Sequence, residues 1–553
     1  MVLSSDRRPV RLRADAVWIA LFFLLVALLA WRITRGADFG DESYYAVFID
    51  DWLKGSIATS TFLTIHQTAA LLVYPAALAY AHFTGSSDGL FLLLRVLFLA
   101  GAVISALCCV VFLKRLGHRL LAWAGGILVL AFIPFGLPAP SYNTLGLQAL
   151  TIALASFGCA AVVDRRKEQF GWLAVSAGAW ALATVAYPSM IVPLGFFCLL
   201  ALFYREGGFP RPLLYFALMA AMICDGWSLV TLSLTPTRLY DCFVFSRASF
   251  DPDGSRRRLA FLRDTFAASP AFSMLCVAAI GVGVVRRAFP VVAQLATISA
   301  VAMLFVLTPT LYVRSHDAVM VVALTGLGLL SGLRANAGRI ERVIGIVYAT
   351  SLIAALTTCA SSYNTVWNFP VGALPAAVLA IADRPTGRLW NVASVAAISV
   401  TIAALLSTSL FFYYGEFSGQ PASSRERMRN GFFAGLALVP NDAALIHLVE
   451  DRVVPLLGTR QPVVLIGRLP GLVLATPARL DMPTSYSLPP SAGGVFESIE
   501  RFYDQPGRQP PLVLIYRDAY FEPSNPISRF NDRYEPLTEL KTPLGNLSIF
   551  RRR

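Results

Sequence analysis

Two adjacent acidic side chains, Asp41 and Glu42 of FGDESYY, lie about eight residues beyond a long apolar run, and Asp38, Asp50 and Asp51 share their segment. A carboxylate partly desolvated at a membrane edge has its pKa raised toward the range in which it takes a proton from a hydroxyl. The opposite charge gathers further along the chain. Arg238, Arg247, Arg256, Arg257, Arg258 and Arg263 crowd into residues 233–268, and TLYVRSHD (310–317) adds Arg314 and His316. Arginine forks bind phosphate bidentately and stabilise it as a leaving group. A carboxylate facing such a cluster is the layout for sugar transfer from a lipid phosphate: the acid deprotonates an acceptor hydroxyl, the hydroxyl attacks the anomeric carbon, and the arginines take up charge on the departing phosphate. Each feature also has a plainer reading. Acids favour a helix N-terminus, and outer arginines contact anionic lipid headgroups.

Those residues need elements to hold them. The chain has 553 residues, 56% hydrophobic and 14% charged, against about 25% charged in soluble domains, which excludes a purely soluble protein. Of the charged residues, 14 acids and 16 bases fall within 414–553. Residues 1–413 therefore read as a multi-span membrane domain and 414–553 as a small soluble α/β domain. Thirteen apolar stretches suit the roughly 17–25 residues a span requires: 15–33, 90–113, 120–136, 144–163, 171–187, 189–204, 212–232, 269–285, 289–308, 317–333, 343–360, 370–383 and 390–413. The shortest, 370–383, contains Pro375 and is the weakest of them. Arg7, Arg8, Arg11 and Arg13 precede the first stretch, so the N-terminus is expected inside, and alternate loops are then rich in Lys and Arg. The net charge of +13 follows from that rule without a nucleic acid partner. The exception is the arginine-rich 233–268 loop, which falls outside with the C-terminal domain.

Between the first two spans, Tyr44, Tyr45, Phe48, Ile49, Trp52 and Leu53 recur at helical spacing, predicting an amphipathic helix along the membrane surface. A second interfacial helix is expected at 62–83, broken by Pro75. In the tail, 463–467, 512–516 and 547–550 read as strands, and 424–437, 441–455 and 494–504 as helices. The tetrapeptide SYNT occurs at 141–144 and again at 362–365, each time on an outer loop.

A first span, then an outer Asp-Glu pair and aromatics, resembles the GT-C fold glycosyltransferases, in particular the protein O-mannosyltransferase and lipid A aminoarabinose transferase group. The resemblance extends to two interfacial helices, about thirteen spans and an outer C-terminal domain. It implies a polyprenyl-phosphate sugar donor, inversion at the anomeric carbon, Asp41 as the base and Glu42 as its support. The family's His-Pro-Pro motif is matched only by His66, followed here by Gln67 and Thr68.

On this reading Arg238, Arg247, Arg256, Arg257, Arg258 and Arg314 bind the donor phosphate, while Tyr44, Tyr45, His66, Arg95, Tyr142, Asn143 and His316 line the substrate cavity. Arg95, near the outer end of its span, has snorkelling as its plainer reading. Asp251, Asp253 and Asp317 could offer oxygen ligands, but DPDG reads as a turn, and no metal or other cofactor is expected to be required. The acceptor is a glycan, lipid or protein hydroxyl, and the expected location is a bacterial inner membrane with the site on the periplasmic side. Two other classes remain. An O-antigen polymerase or ligase usually lacks the first-loop Asp-Glu pair, and a transporter should carry intramembrane charges, of which Asp225 is the main instance.

Overall fold

The structure is a computed structural model, and it describes residues 8–203, 212–250, 260, 263–264, 266–267, 269–308, 311–334, 336–362, 364–382, 388–411, 425–457, 461–484, 502–503, 512–517 and 533–553. Helices account for most of them: α1 (Arg8–Arg32), α2 (Asp41–Lys54), α3 (Gln67–Thr84), α4 (Leu90–Arg115), α5 (Arg119–Ala131), α6 (Tyr142–Val162), α7 (Arg166–Ala186), α8 (Ile191–Phe203), α9 (Pro212–Leu234), α10 (Pro236–Phe250), α11 (Pro270–Val285), α12 (Pro290–Leu307), α13 (Leu311–Leu324), α14 (Arg339–Ser361), α15 (Phe369–Ala382) and α16 (Arg388–Ser409).

Seven of these are long and apolar enough to cross a bilayer: α4, α6, α7, α9, α12, α14 and α16. An eighth span forms if α13 is joined, across a 45° bend, to residues 327–333. Shorter apolar helices at Ala16–Arg32, Leu121–Ala131, Pro188–Leu202, Pro270–Val285 and Val366–Ala382 occupy the other predicted stretches. The protein is thus an integral membrane protein of helical class. The weakest predicted span, now α15, is buried along its whole length. At Gly372 its backbone lies so close to α14 that an added Cβ would fall 2.1 Å from the Ala355 nitrogen. Pro375 frees backbone groups there, and Ser351 of α14 takes them up: its hydroxyl donates to the Gly372 carbonyl at 2.7 Å and accepts from the Ala376 N–H at 3.0 Å. Neighbouring side chains satisfy a proline break in this way inside a membrane.

The tail forms a mixed sheet in the order β4 (Arg479–Leu480), β3 (Pro462–Ile466), β5 (Leu512–Arg517), β7 (Gly545–Arg552), β6 (Tyr534–Thr542), parallel across β4-β3-β5 and antiparallel beyond. The strands predicted at 512–516 and 547–550 lie within β5 and β7, and the one at 463–467 runs one residue past the end of β3. A helix runs over Pro440–Leu448 and continues in tighter and looser turns to Leu456, covering the stretch predicted helical at 441–455. The helix predicted at 424–437 is instead a hairpin, β1 (Glu426–Arg427) against β2 (Ala437–Leu438). Gly431 and Gly435 carry positive φ of 75° and 87°, a turn conformation no helix interior tolerates. Of the predicted helix at 494–504, only residues 502–503 are among those described.

Among the described residues two large hydrophobic cores form, beside a small cluster of Val185, Val230 and Leu234. One fills the membrane helices. The other joins the sheet residues Val463–Ile466 and Leu512–Tyr516 to Phe39, Phe48, Trp52 and Phe62 of the segment between α1 and α4. The expectation of α2 lying on a membrane surface is corrected by this: every residue from Glu42 to Trp52 is buried, because the sheet covers the face that would otherwise meet lipid or water. Residues 34–36 pair with β2, with the Ala437 N–H donating to the Thr34 carbonyl at 2.8 Å and the Gly36 N–H to the Ala437 carbonyl at 3.0 Å.

Candidate active site

Helix α2 begins at Asp41, and its first turn is closed by acids. The Asp38 carboxylate accepts from the Gly40 N–H (2.9 Å) and the Glu42 N–H (2.9 Å), satisfying donors that a helix N-terminus leaves open. Glu42 is committed elsewhere. Arg95 of α4 grips it through two parallel bonds, Nε to Oε1 at 2.5 Å and Nη2 to Oε2 at 2.7 Å, and reaches the Ile33 and Arg35 carbonyls with Nη1. Both side chains are 2% exposed, so Arg95 does not snorkel; it welds α4 to the start of α2.

Further along α2, Lys54 binds Asp50 at 2.7 Å together with the Thr476 and Ala478 carbonyls of the tail, and Arg479 binds Asp51 at 3.1 Å. Burial lifts the Asp38 carboxyl to about 7, helped by the charge of Asp41, and lifts Asp50 to about 6 against the pull of Lys54. Of the five acids on this segment, Asp41 alone is only half-buried. It stands at the positive end of the α2 dipole.

Aromatic rings surround that position. The Tyr44 hydroxyl and His66 Nδ1 share a hydrogen bond of 3.3 Å. The His66 ring lies 4.9 Å from Tyr142, which packs at 4.7 Å on Tyr187 and 6.5 Å from Tyr45. Tyr44 and Tyr45 follow Asp41 by three and four residues on α2, so they stand on its side of the helix. Burial pushes His66 down to about 4, so its imidazole is neutral near pH 7 and serves as a hydrogen-bonding group rather than a cation. Gln67 and Thr68 stand where the resembled motif has prolines, and they close the turn by hydrogen bonds instead. Gln67 Nε2 donates to the Phe62 and Thr64 carbonyls (2.9 and 3.0 Å), and the Thr68 hydroxyl to Ile65 (3.0 Å). The two SYNT copies meet at this site: the Tyr142 and Ser362 hydroxyls lie 3.4 Å apart, and Asn143 accepts from Asn368 at 3.1 Å.

The arginines divide. Arg238 of α10 donates to the carbonyls of Ile57 and Phe62 and to Gln67 Oε1, and Ser246 accepts from the Ile65 N–H at 3.0 Å. The described part of the arginine loop therefore packs on the segment that carries His66, at the same end of the bundle as Asp41. Arg247 is exposed on α10, while Arg256, Arg257 and Arg258 lie outside the described residues. Arg314 is buried, with Nε on the Thr308 carbonyl and its guanidinium 4.9 Å from the Phe305 ring. His316 accepts from the Phe135 N–H at 3.2 Å and so supports the turn between α5 and α6. Asp317 accepts from Thr308 at 2.8 Å; Asp251 and Asp253 are not described. Among the described residues no three His, Cys, Asp or Glu side chains converge as metal ligands do.

Sequence reasoning missed the contribution of the tail. Arg479 meets Asp51 toward the end of α2 remote from Asp41, and Thr484, which approaches the Tyr44 hydroxyl, forms part of the site's wall. So does Gly471, whose N–H donates to the Phe39 carbonyl at 2.8 Å and at which a Cβ would fall 2.4 Å from the Ser43 hydroxyl.

Apolar helices in this order, an acid pair at the start of a short helix after the first of them, and a C-terminal sheet over that helix make up the GT-C fold of membrane glycosyltransferases. Two crystal structures of ArnT bear out the fold. The crystal structure of ArnT from Cupriavidus metallidurans in the apo state aligns with a TM-score of 0.54 at 10% identity, over 97% of this chain and 98% of that one. The same protein bound to undecaprenyl phosphate aligns at 0.52 and 12% identity, over 96% and 97%. The archaeal oligosaccharyltransferase AglB from Archaeoglobus fulgidus, in complex with an inhibitory peptide and a dolichol-phosphate, gives 0.48 at 11% identity, over 93% and 70%. At these identities the likeness is one of fold. No family model matches the chain, and no curated protein matches its sequence.

Proposed function

We propose that the protein is an inverting glycosyltransferase that moves a sugar from a polyprenyl-phosphate carrier to an acceptor hydroxyl, on the periplasmic side of a bacterial inner membrane. The observation that carries this reading is the situation of Asp41. Its four acidic neighbours are buried, whereas Asp41 is half open, at the N-terminus of the helix that carries Tyr44 and Tyr45, which pack with His66 and Tyr142. A carboxylate so placed takes the acceptor proton as the hydroxyl oxygen bonds to the anomeric carbon and the carbon–phosphate-oxygen bond breaks. Arg247, Arg256, Arg257, Arg258 and Arg314 are the side chains assigned to the leaving phosphate. Arg238 would act beside them by holding the 57–67 segment. The likeness to ArnT bound to undecaprenyl phosphate supports a donor of that class. The test is transfer by the purified full chain in nanodiscs, offered a panel of radiolabelled polyprenyl-phosphate sugars and membrane extract as acceptor. Label moving from one donor supports the reading and names the sugar; no transfer from any donor contradicts it.

A further inference from the structure

Asp51 sits ten residues beyond Asp41 on α2, 2% exposed, and three separate parts of the chain converge on it. From the C-terminal sheet, Arg479 binds it through Nε at 3.1 Å and reaches the Thr59 carbonyl through Nη2 at 3.3 Å. From α10, Arg238 lies near enough to act on its charge, while holding the Ile57 and Phe62 carbonyls and Gln67 Oε1. From the 57–67 segment, Ser60 faces the carboxylate. The tail fastens the same segment at two more points: the Leu63 N–H donates to the Pro483 carbonyl at 2.7 Å and the Thr61 hydroxyl to Met482 at 3.1 Å. That segment ends at His66, whose ring touches Tyr44 and Tyr142 beside Asp41. An added Cβ at Gly55 would lie 2.7 Å from the Arg479 guanidinium carbon, so the arginine is seated directly over the end of α2.

We infer that Arg479 is a positioning residue for the transfer site: paired with Asp51, it fixes the 57–67 segment and thereby the placement of His66, making the C-terminal sheet a working part of the site. The Arg479–Asp51 pair has a definite geometry, because one fork satisfies Asp51 Oδ1 and the neighbouring Thr59 carbonyl together. Removing one partner leaves the charge uncompensated and frees the carbonyls that the guanidinium held.

The inference rests on the transferase reading for its kinetic arm and stands independently of it in its structural arm. The full chain in nanodiscs is compared with Arg479→Ala, Arg479→Lys, Asp51→Asn and Arg479→Ala/Asp51→Asn, each first checked for a wild-type elution profile. Expected are a fall in kcat of about tenfold or more for Arg479→Ala with donor KM little changed, partial recovery in Arg479→Lys, and a double variant no worse than the worse single one, as for residues acting as a unit. Wild-type kcat in Arg479→Ala, or losses that multiply in the double variant, would overturn it. Hydrogen exchange of residues 57–67 supplies the arm that needs no activity: faster exchange in Arg479→Ala supports the positioning role, and unchanged exchange refutes it. Absence of transfer by the wild type would defeat the transferase reading alone and leave this second arm to decide.

Discussion

Asp38 and Asp41 flank the tight turn at Gly40, and the charge state of one sets the strength of the other. Asp38 is lifted to about 7 by burial, with Asp41 contributing, so below that pH it is neutral and above it carries a charge. The charge interaction by which Asp41 raises Asp38 acts equally in reverse. The account therefore predicts that kcat/KM rises with pH through about 7, and that Asp38→Asn, which keeps one accepting oxygen but cannot ionise, removes that limb. A pH–rate profile of the two proteins checks it, and a limb that persists in the variant would place the titration elsewhere. At this scale the sequence was informative where chemistry is local. FGDESYY marked Asp41, and the aromatic pair beside it. It could not separate Asp41 from Glu42, since what distinguishes them is Arg95, 53 residues away and bonded to one of them only.

Between elements, the Glu42–Arg95 pair ties α2 to α4 beneath the sheet. Replacing Arg95 with Met leaves a buried carboxylate unpaired, a change that costs about 3–5 kcal/mol. Thermal unfolding in detergent should show Arg95→Met clearly destabilised and Arg95→Met/Glu42→Gln less so. An unshifted midpoint for the single variant would mean the pair does not hold the helices together. The helices themselves were legible because an apolar run of span length admits few alternatives. Two elements were misread for opposite reasons. Residues 424–437 contain Arg, Met, Ala and Leu, all good helix formers, and Gly431 and Gly435 were the signals that outvoted them. Helix α2 was placed correctly but given the wrong surroundings: periodicity identifies a face to be covered, not what covers it.

Seen whole, the molecule ties the helix that begins at Asp41 to a part of the chain more than 400 residues on, through Lys54 with Thr476 and Ala478 and Asp51 with Arg479. No spacing or motif in one sequence reports such pairs, which is why the tail read as an appended domain. Its removal has a direct consequence: a chain ending at residue 413 exposes Phe39, Phe48 and Trp52, now buried against the sheet. Such a truncation is expected to aggregate on extraction, and size-exclusion chromatography would show it; a monodisperse truncated protein would contradict the shared core. The central claim, that Asp41 performs the proton transfer in a site the sheet completes, is tested most directly by comparing the full chain with Asp41→Asn in one preparation, measuring undecaprenyl phosphate binding and sugar transfer together. The account predicts unchanged binding and transfer reduced by about 10²–10⁴-fold, the usual contribution of a positioned base. Transfer at the wild-type rate by Asp41→Asn would contradict it.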